Sequence, residues 1–213
     1  MTPENKIKFK ANAQARSLVL LPKKEAEKRI ETNYYVEGYA ARYEPYVLYY
    51  DGDEPIYERF ERGCFDNCDM SDVIMQFDHA GRVFARNTNG SLIVEPDGVG
   101  LFMAADLGRT EGARGLYADI DAEMITKMSW RFRVGEYYWD AETRTIVHRT
   151  VKKIYDVSAV SIPANDNTEI NARSWADGVI SLAARSEAEL DDRRRRLRLK
   201  IKLNSQEEFN YET

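Results

Sequence analysis

The feature of this sequence that most constrains its fold is a series of short β-rich runs between about residues 33 and 173. Valine, isoleucine, tyrosine, phenylalanine and tryptophan dominate the runs, and these residues favour a pleated sheet over a helix. Turn-forming sequences such as Asp51-Gly52-Asp53 separate one run from the next. The runs are residues 34–43, 72–77, 91–95, 99–105, 127–134, 145–151 and 154–162. They predict a core built mainly from β-strands.

One segment of this core has a different period. Between residues 110 and 125, the apolar side chains of Leu116, Ile120, Met124 and Ile125 recur on roughly one face of a helix with 3.6 residues per turn. We therefore predict a helix that leads into the next strand. The expected fold class is mainly β with inserted helices (α+β). No internal repeat of about 20 to 50 residues is present, which argues against a solenoid or a propeller.

Both ends of the chain differ in composition from this core. Residues 1–32 are rich in lysine, glutamate and asparagine, and they predict a flexible N-terminal arm. Residues 174–213 predict a charged C-terminal tail, with a helix at 175–190. We therefore expect an arm at 1–32, a core at 33–173 and a tail at 174–213.

An arginine-rich run occupies residues 193–202 of the tail. Acidic residues lie just before it and can pair with it on a helix surface, so a solvated charged face is the main interpretation. A detachable tail that a basic-selective protease cuts is the alternative. A nucleic-acid-binding patch is a further alternative, but the run contains no aromatic residues that would stack on bases.

Charge and hydropathy exclude several classes of function. The formal net charge of -5 argues against general affinity for nucleic acid, which requires clustered cations. No apolar run approaches the roughly 18 residues that span a bilayer, and the patch at residues 18–21 is too short for a signal-peptide core. These observations predict an intracellular protein with no membrane segment.

Cysteine and histidine are scarce in this chain. Cys64 and Cys68 are its only cysteines, and His79 and His148 are its only histidines. Two cysteines do not make the disulfide framework of a secreted domain, and a zinc site would need all four residues together. No HExxH sequence is present either. We therefore expect no metal ion and no cofactor.

Either histidine is a candidate general base. His79 follows an apolar strand-like run and precedes Ala80-Gly81, so a rigid element can hold its imidazole at a rim. A surface histidine in a turn is the alternative. His148 alternates with apolar residues in the run at 145–151, a pattern that predicts a solvent-facing strand residue.

A serine and an aspartate complete the candidate chemistry. Ser129 alternates with bulky residues in the run at 127–134, so it shares a strand face with Arg131 and Arg133. A nucleophile there would be held rigidly, although a plain serine on a polar face fits the spacing equally. Asp156 opens an otherwise apolar strand, where a buried carboxylate needs a partner, and an exposed aspartate at the strand edge is the alternative.

An ordered set of short motifs resembles the prohead protease family of tailed phages. The likeness extends over residues 34–172, and the closing motif is the most specific. The motifs are Gly38-Tyr39-Ala40, Gly63-Cys64-Phe65, Asp78-His79, Gly100-Leu101, Met128-Ser129-Trp130-Arg131-Phe132 and Asp156-Val157-Ser158-Ala159-Val160-Ser161-Ile162-Pro163-Ala164-Asn165.

The resemblance implies a role for each candidate residue. His79 takes the place of the general base, Ser129 that of the nucleophile and Asp156 that of the third triad member, with His148 as the runner-up for the third role. The backbone at Ala164 and Asn165 corresponds to the oxyanion hole. The family is related in fold to the herpesvirus capsid maturation proteases, so a β-barrel core of that kind is expected.

Two positions depart from the family pattern. Asp156 stands where glutamate is usual, which shortens the reach of the acid by one methylene group. Trp130 and Arg131 stand where a small residue and glycine are common, and bulky side chains there would crowd the site.

The resemblance also implies a function and partners. It implies a serine endopeptidase that acts in the host cytoplasm, inside the assembling procapsid. Its substrates would be scaffold segments or the delta domain of the major capsid protein, together with its own ends. A homodimer is compatible with the resemblance, although the residues alone do not indicate one. A catalytically inactive scaffold or capsid protein that keeps the fold is the alternative.

Overall fold

The computed structural model describes residues 12–16, 28–161 and 168–211, with side chains for 28–161 and 177–198. The chain divides into two compact units, Met1–Arg173 and Ser174–Thr213. Twelve strands and two α-helices are present in the described part. They are β1 Asn12–Arg16, β2 Tyr35–Arg42, β3 Tyr46–Asp51, β4 Glu54–Phe60, β5 Ile74–Phe77, β6 Ala80–Arg86, β7 Leu92–Pro96, β8 Gly100–Asp106, α1 Glu111–Asp121, β9 Lys127–Val134, β10 Tyr137–Asp140, β11 Thr145–His148, β12 Val151–Val160 and α2 Thr168–Tyr211.

The strands form three sheets. The largest has the order β1-β9-β12-β5-β6, with β12 and β5 parallel and the other neighbours antiparallel. The second has the order β10-β11-β4-β3, in which only β11 and β4 are parallel. The third, β2-β8-β7, is antiparallel throughout. The expectation of a mainly β fold with inserted helices is therefore confirmed.

The described strands do not close into a barrel. A barrel requires the two edge strands of a sheet to pair with each other. The largest sheet instead ends at β1 and β6, and the other two sheets are also open in the described part of the chain. The expectation of a closed barrel is therefore wrong for these residues, because their strands are divided among three separate sheets.

An aromatic cluster joins two of these sheets. Trp130 and Phe132 on β9 stack with ring centroids 4.0 Å apart, and Phe60 on β4 contacts both rings. Phe65 contacts Phe60 and Trp130 from the loop that follows β4. Because all four side chains are buried, truncating one of them to alanine would cost about 3 to 5 kcal/mol. The cluster fixes the face of β9 that is turned away from Ser129.

Helix α1 is shorter than the pattern predicted. Thr110 caps it by accepting a hydrogen bond from the backbone N–H of Ala113 at 3.1 Å. The helix ends at Asp121, and Glu123 follows it in the left-handed conformation, with a φ of 57°. Met124 is therefore exposed beyond the helix, and its predicted place on the buried face was wrong.

Helix α2 is longer than predicted, with 44 residues rather than the 16 of the segment 175–190. Its described arginines include Arg194, which pairs with Asp191 at 3.3 Å, and Arg196, which pairs with Asp192 at 2.7 Å. Such pairs, one turn apart and exposed, are typical of a solvated helix face. No described helix is long and apolar enough to cross a membrane. Of the predicted arm, residues 1–11 and 17–27 lie outside the described residues, and residues 12–16 form β1.

Candidate active site

His79 occupies a tight turn between two strands. Asp78 and His79 form the two-residue loop from β5 to β6, and Phe77 pairs with Ala80 across it. Both loop residues are left-handed, with φ angles of 49° and 56°. Hairpin loops of this length favour Asn-Gly or Asp-Gly, because side chains other than glycine tolerate a positive φ poorly. A histidine at the second position is less favourable than glycine, although histidine enters the left-handed region more often than most side chains.

Strand β12 anchors this turn. The backbone N–H of Asp78 donates to the carbonyl of Ala159 at 2.9 Å. Its carboxylate accepts hydrogen bonds from the backbone N–H and the hydroxyl of Ser161, at 2.9 and 2.8 Å. Because β12 runs parallel to β5, the end of β5 and the end of β12 lie at the same edge of the sheet. The contacts bring the histidine turn against β12.

The structure places His79 beside Asp156. The Nδ1 atom of His79 lies 2.6 Å from Asp156 Oδ1, and the two side chains are only 9% and 2% exposed. This contact assigns the proton on Nδ1 to the bond with the carboxylate, which leaves Nε2 as a proton acceptor. Nε2 is buried and makes no hydrogen bond with the described residues. The shorter acid therefore reaches the imidazole, because the turn is held close to β12.

A bulge in β12 aims Asp156 at this site. Ile154 pairs with Phe132 and Asp156 pairs with Arg131, so Tyr155 is an extra residue in the register. Both Ile154 and Val157 belong to the hydrophobic core, although they are three residues apart. A regular strand would turn Asp156 to the core face that Ile154 occupies. The bulge reverses the alternation and puts the carboxylate on the opposite face.

Ser129 lies on the strand next to Asp156. It pairs with Ser158 across β9 and β12, and its neighbours Met128 and Trp130 point into the core. Ser129 therefore shares the polar face of the sheet with Asp156. Its side chain is fully buried, and no hydrogen bond joins it to His79 Nε2. The hydroxyl is close to the histidine–aspartate pair along the strands but is not engaged by the imidazole.

Two further side chains at this site were not predicted. The Ser158 hydroxyl donates to Asp156 Oδ1 at 2.6 Å. The Nε of Arg131 lies 3.8 Å from Asp156 Oδ2, and its Nη2 donates to the carbonyl of His79 at 3.3 Å. The signal that could have found them is period-two spacing along a strand. Arg131 lies two residues after Ser129, and Ser158 lies two residues after Asp156, so each pair shares a strand face. Trp130 is buried in the core, so it does not crowd the site as expected.

His148 lies elsewhere, and the expectation that it faces solvent was wrong. It is fully buried on β11, where its Nε2 lies 2.7 Å from Glu58 Oε1. Its ring stacks on Phe60 with centroids 4.5 Å apart. The structure thus brings Asp156, rather than His148, to His79. The proposed oxyanion-hole residues Ala164 and Asn165 lie outside the described residues.

No described cluster of three or more histidine, cysteine or acidic side chains has the arrangement to hold a metal ion. The described site is thus composed of hydroxyls, a carboxylate, a guanidinium and an imidazole.

A buried carboxylate on one ring nitrogen of a histidine, beside a strand that carries a serine, is typical of serine hydrolases. Residues 21–178 match the family described as Caudovirus prohead serine protease, and the chain belongs to this family. Membership indicates a serine peptidase of phage capsid maturation that acts on capsid proteins in the assembling procapsid, within the host cell. No curated protein and no solved structure gives a significant match.

Proposed function

We propose that this chain is a prohead maturation endopeptidase whose catalytic triad is Ser129, His79 and Asp156. Its proposed substrates are scaffold segments or the delta domain of the major capsid protein. The observation that carries the proposal is the 2.6 Å contact between His79 Nδ1 and the buried carboxylate of Asp156. The other ring nitrogen, Nε2, makes no hydrogen bond with the described residues and can accept a proton. This is the arrangement that a general base requires.

The proposed reaction proceeds through an acyl-enzyme. His79 Nε2 takes the proton of Ser129 as Oγ attacks the scissile carbonyl carbon, and the carbonyl electrons move to its oxygen. The tetrahedral intermediate collapses, the C–N bond breaks, and Nε2 gives the proton to the leaving amine. Water then hydrolyses the ester with the same base. Asp156 holds the ring through Nδ1–H and stabilises the imidazolium at each step.

Substrate entry must change the closed arrangement seen here. Ser129 is buried and makes no hydrogen bond with Nε2, so attack requires a local movement that exposes the hydroxyl and brings it to the imidazole. The backbone N–H groups of Ala164 and Asn165 are the proposed oxyanion donors. A good donor of this kind contributes about 3 to 4 kcal/mol to the stability of the transition state.

We further propose that the fold is related to that of the herpesvirus capsid proteases, that the chain forms a homodimer, and that it divides into an arm, a core and a tail at 1–32, 33–173 and 174–213. The boundary of the compact units between Arg173 and Ser174 supports the last of these.

The test is coexpression with the cognate capsid protein and scaffold. Wild type, Ser129→Ala and Ser71→Ala are compared by gel and mass spectrometry of the products. Ser71 is an exposed serine outside the site and serves as the matched control. We expect Ser129→Ala to abolish processing and Ser71→Ala to retain it. Processing at the parental rate by Ser129→Ala would refute the assignment.

A non-catalytic capsid protein is the second candidate, and the burial of Ser129 favours it. Labelling with a fluorophosphonate probe, followed by peptide mapping, separates the candidates. A label on Ser129 supports the proposed triad. A label on Ser158 would instead assign the nucleophile to Ser158, which lies opposite Ser129 on the neighbouring strand. The Ser158 hydroxyl donates its hydrogen bond to Asp156 rather than to Nε2. A folded protein that neither takes the label nor processes capsid protein is non-catalytic.

Self-processing of the arm is part of the proposal. Strand β1 pairs with β9, and Ala15 lies opposite Ser129 in the register. This pairing brings residues of the arm to the strand that carries the proposed nucleophile. The intact masses of wild type and Ser129→Ala, purified in parallel, test the idea. We expect truncation at the N-terminus or within the arginine-rich tail in wild type only, and equal full-length masses would contradict it.

A further inference from the structure

Arg131 contacts both the acid and the base of the proposed triad. It lies on β9, two residues beyond Ser129, and directly opposite Asp156 on β12. Its Nη2 donates to the backbone carbonyl of His79 at 3.3 Å, and its Nε lies 3.8 Å from Asp156 Oδ2. The side chain is 37% exposed, so part of it remains in water. One side chain thus joins β9, β12 and the histidine turn.

His79 needs support at its backbone as well as at its ring. Its left-handed conformation is uncommon for a residue other than glycine, so contacts with its surroundings help to hold it there. Asp156 fixes the imidazole through Nδ1, and Arg131 binds the carbonyl of the same residue. The guanidinium also places a positive charge beside the buried carboxylate of Asp156. Burying that carboxylate without a nearby positive charge would cost free energy.

We propose that Arg131 is a positioning residue that holds the His79 turn against β12, so that Nε2 stays where it takes the nucleophile's proton. The inference rests on the function proposed above. Arg131 contacts no reacting atom, so its loss should lower kcat more than it changes KM.

The kinetic test compares Arg131→Gln with Arg133→Gln. Arg133 is an exposed arginine two residues further along β9 and serves as the matched control. We expect kcat of Arg131→Gln to fall about 10- to 100-fold with KM within about two-fold, since a small displacement of a catalytic group is costly. Arg131→Lys should recover only part of the loss, because a single ammonium does not replace the guanidinium fork. Arg133→Gln should match wild type.

A second measurement does not depend on cleavage. The chain has two histidines, so ¹⁵N-histidine NMR resolves His79 against His148 as an internal reference. In a Ser129→Ala background, Arg131→Gln should shift or broaden the ring signals of His79 and leave those of His148 unchanged. The hydrogen bond from Nδ1 to Asp156 makes the His79 ring a direct reporter of the turn.

Unchanged kcat and unchanged His79 signals in folded Arg131→Gln would overturn the proposal, as would equal losses in Arg133→Gln. If Arg131→Gln does not fold, Arg131→Lys carries the same two comparisons. Failure of the proposed function is distinguishable, because Ser129→Ala would then retain cleavage while the His79 signals still responded to Arg131.

Discussion

At the scale of single residues, the proposed chemistry depends most on Asp156, whose Oδ1 lies 2.6 Å from both His79 Nδ1 and Ser158 Oγ. Asp156→Asn keeps the shape of the side chain but removes the charge that stabilises the imidazolium. We expect kcat to fall about 10³- to 10⁴-fold in a protein that remains folded. Steady-state cleavage of a capsid-derived peptide, with circular dichroism, measures both effects.

His148→Ala is the control for this prediction. His148 packs on Phe60 and contacts Glu58 in the core, so its removal breaks a buried contact with a carboxyl group and leaves a cavity beside Phe60. The expected effect is on stability, about 3 to 5 kcal/mol in the free energy of unfolding, rather than on kcat of the folded fraction. A larger loss of kcat in folded His148→Ala than in Asp156→Asn would transfer the third role to His148.

Ser158→Ala tests the support of the acid. The change removes one of the two hydrogen bonds to Asp156 Oδ1 and leaves the bond from His79. We expect the free energy of unfolding to fall by about 1.5 to 3 kcal/mol, since a buried hydrogen bond to a charged group is lost. The freer carboxylate should lower kcat several-fold while a fluorophosphonate probe still labels Ser129. Complete loss of labelling in folded Ser158→Ala would contradict this supporting role.

Sequence reasoning located the candidate residues by type but not their contacts. His79 was identifiable because the chain has only two histidines, and family motifs marked both His79 and Asp156. Ser158 and Arg131 were missed as partners of Asp156, because their contacts depend on the register between β9 and β12. Period-two spacing shows which residues share a face, but it does not show which residue lies opposite which.

At the scale of elements, the hairpin turn after β5 is the part on which the site depends. Asp78→Ala removes the acceptor for the N–H and hydroxyl of Ser161. The turn should loosen from β12, with kcat reduced about ten-fold because a small displacement of the base is costly. Cleavage assays and thermal melts on the same preparation measure the two consequences.

A double-mutant cycle controls this experiment. Ser161→Ala removes the hydroxyl donor and keeps the backbone N–H, so it should produce a smaller loss than Asp78→Ala. Because the two residues contact each other, the double variant should lose less than the sum of the single losses. Strict additivity would show that Asp78 acts without the Ser161 hydroxyl, whose bond to the carboxylate is the one that Ser161→Ala removes.

Several elements escaped prediction for local reasons. Strands β3 and β4 flank Asp51-Gly52-Asp53, which was recognised as a turn, but their mixed polar composition concealed the hairpin. The bulge at Tyr155 cannot be recognised from the alternation of polar and apolar residues. One inserted residue only reverses which side chains of β12 face the core. Helix α2 continues beyond its weak apolar segment through charged residues with good helix propensity.

At the scale of the whole molecule, the mainly β class followed from composition and turns, whereas the division into three sheets did not. Strand pairing depends on contacts between distant parts of the chain. The pairing of β11 with β4, for example, joins residues 145–148 to residues 57–60. No local pattern carries that information, so the expected barrel had no support from the residues themselves.

Acidic side chains couple the stability of the whole molecule to pH. Hydrogen bonds from Lys153 and Ser71 hold the pKa of Asp69 well below its ordinary value, and a hydrogen bond from Arg86 lowers the pKa of Asp72. Burial alone would raise the pKa of Asp106, but hydrogen bonds outweigh it and lower that pKa as well. The pKa values of Asp97 and Asp140 are likewise lowered.

These shifts predict acid sensitivity. A carboxyl whose folded pKa lies below the unfolded value of about 3.9 stabilises the protein above that pH, and the contribution is lost as pH falls through the folded pKa. The melting temperature should thus be nearly constant from pH 7 to about 5 and fall steadily below about 4. Asp106→Asn should lower it at pH 7 and reduce the acid-dependent fall, because Thr32 and Arg109 lose their carboxylate partner. Asp53→Asn, in an exposed loop, should change neither. A melting temperature that is flat or rising between pH 5 and 3 would contradict the assignment of these aspartates as stabilising in their ionised form.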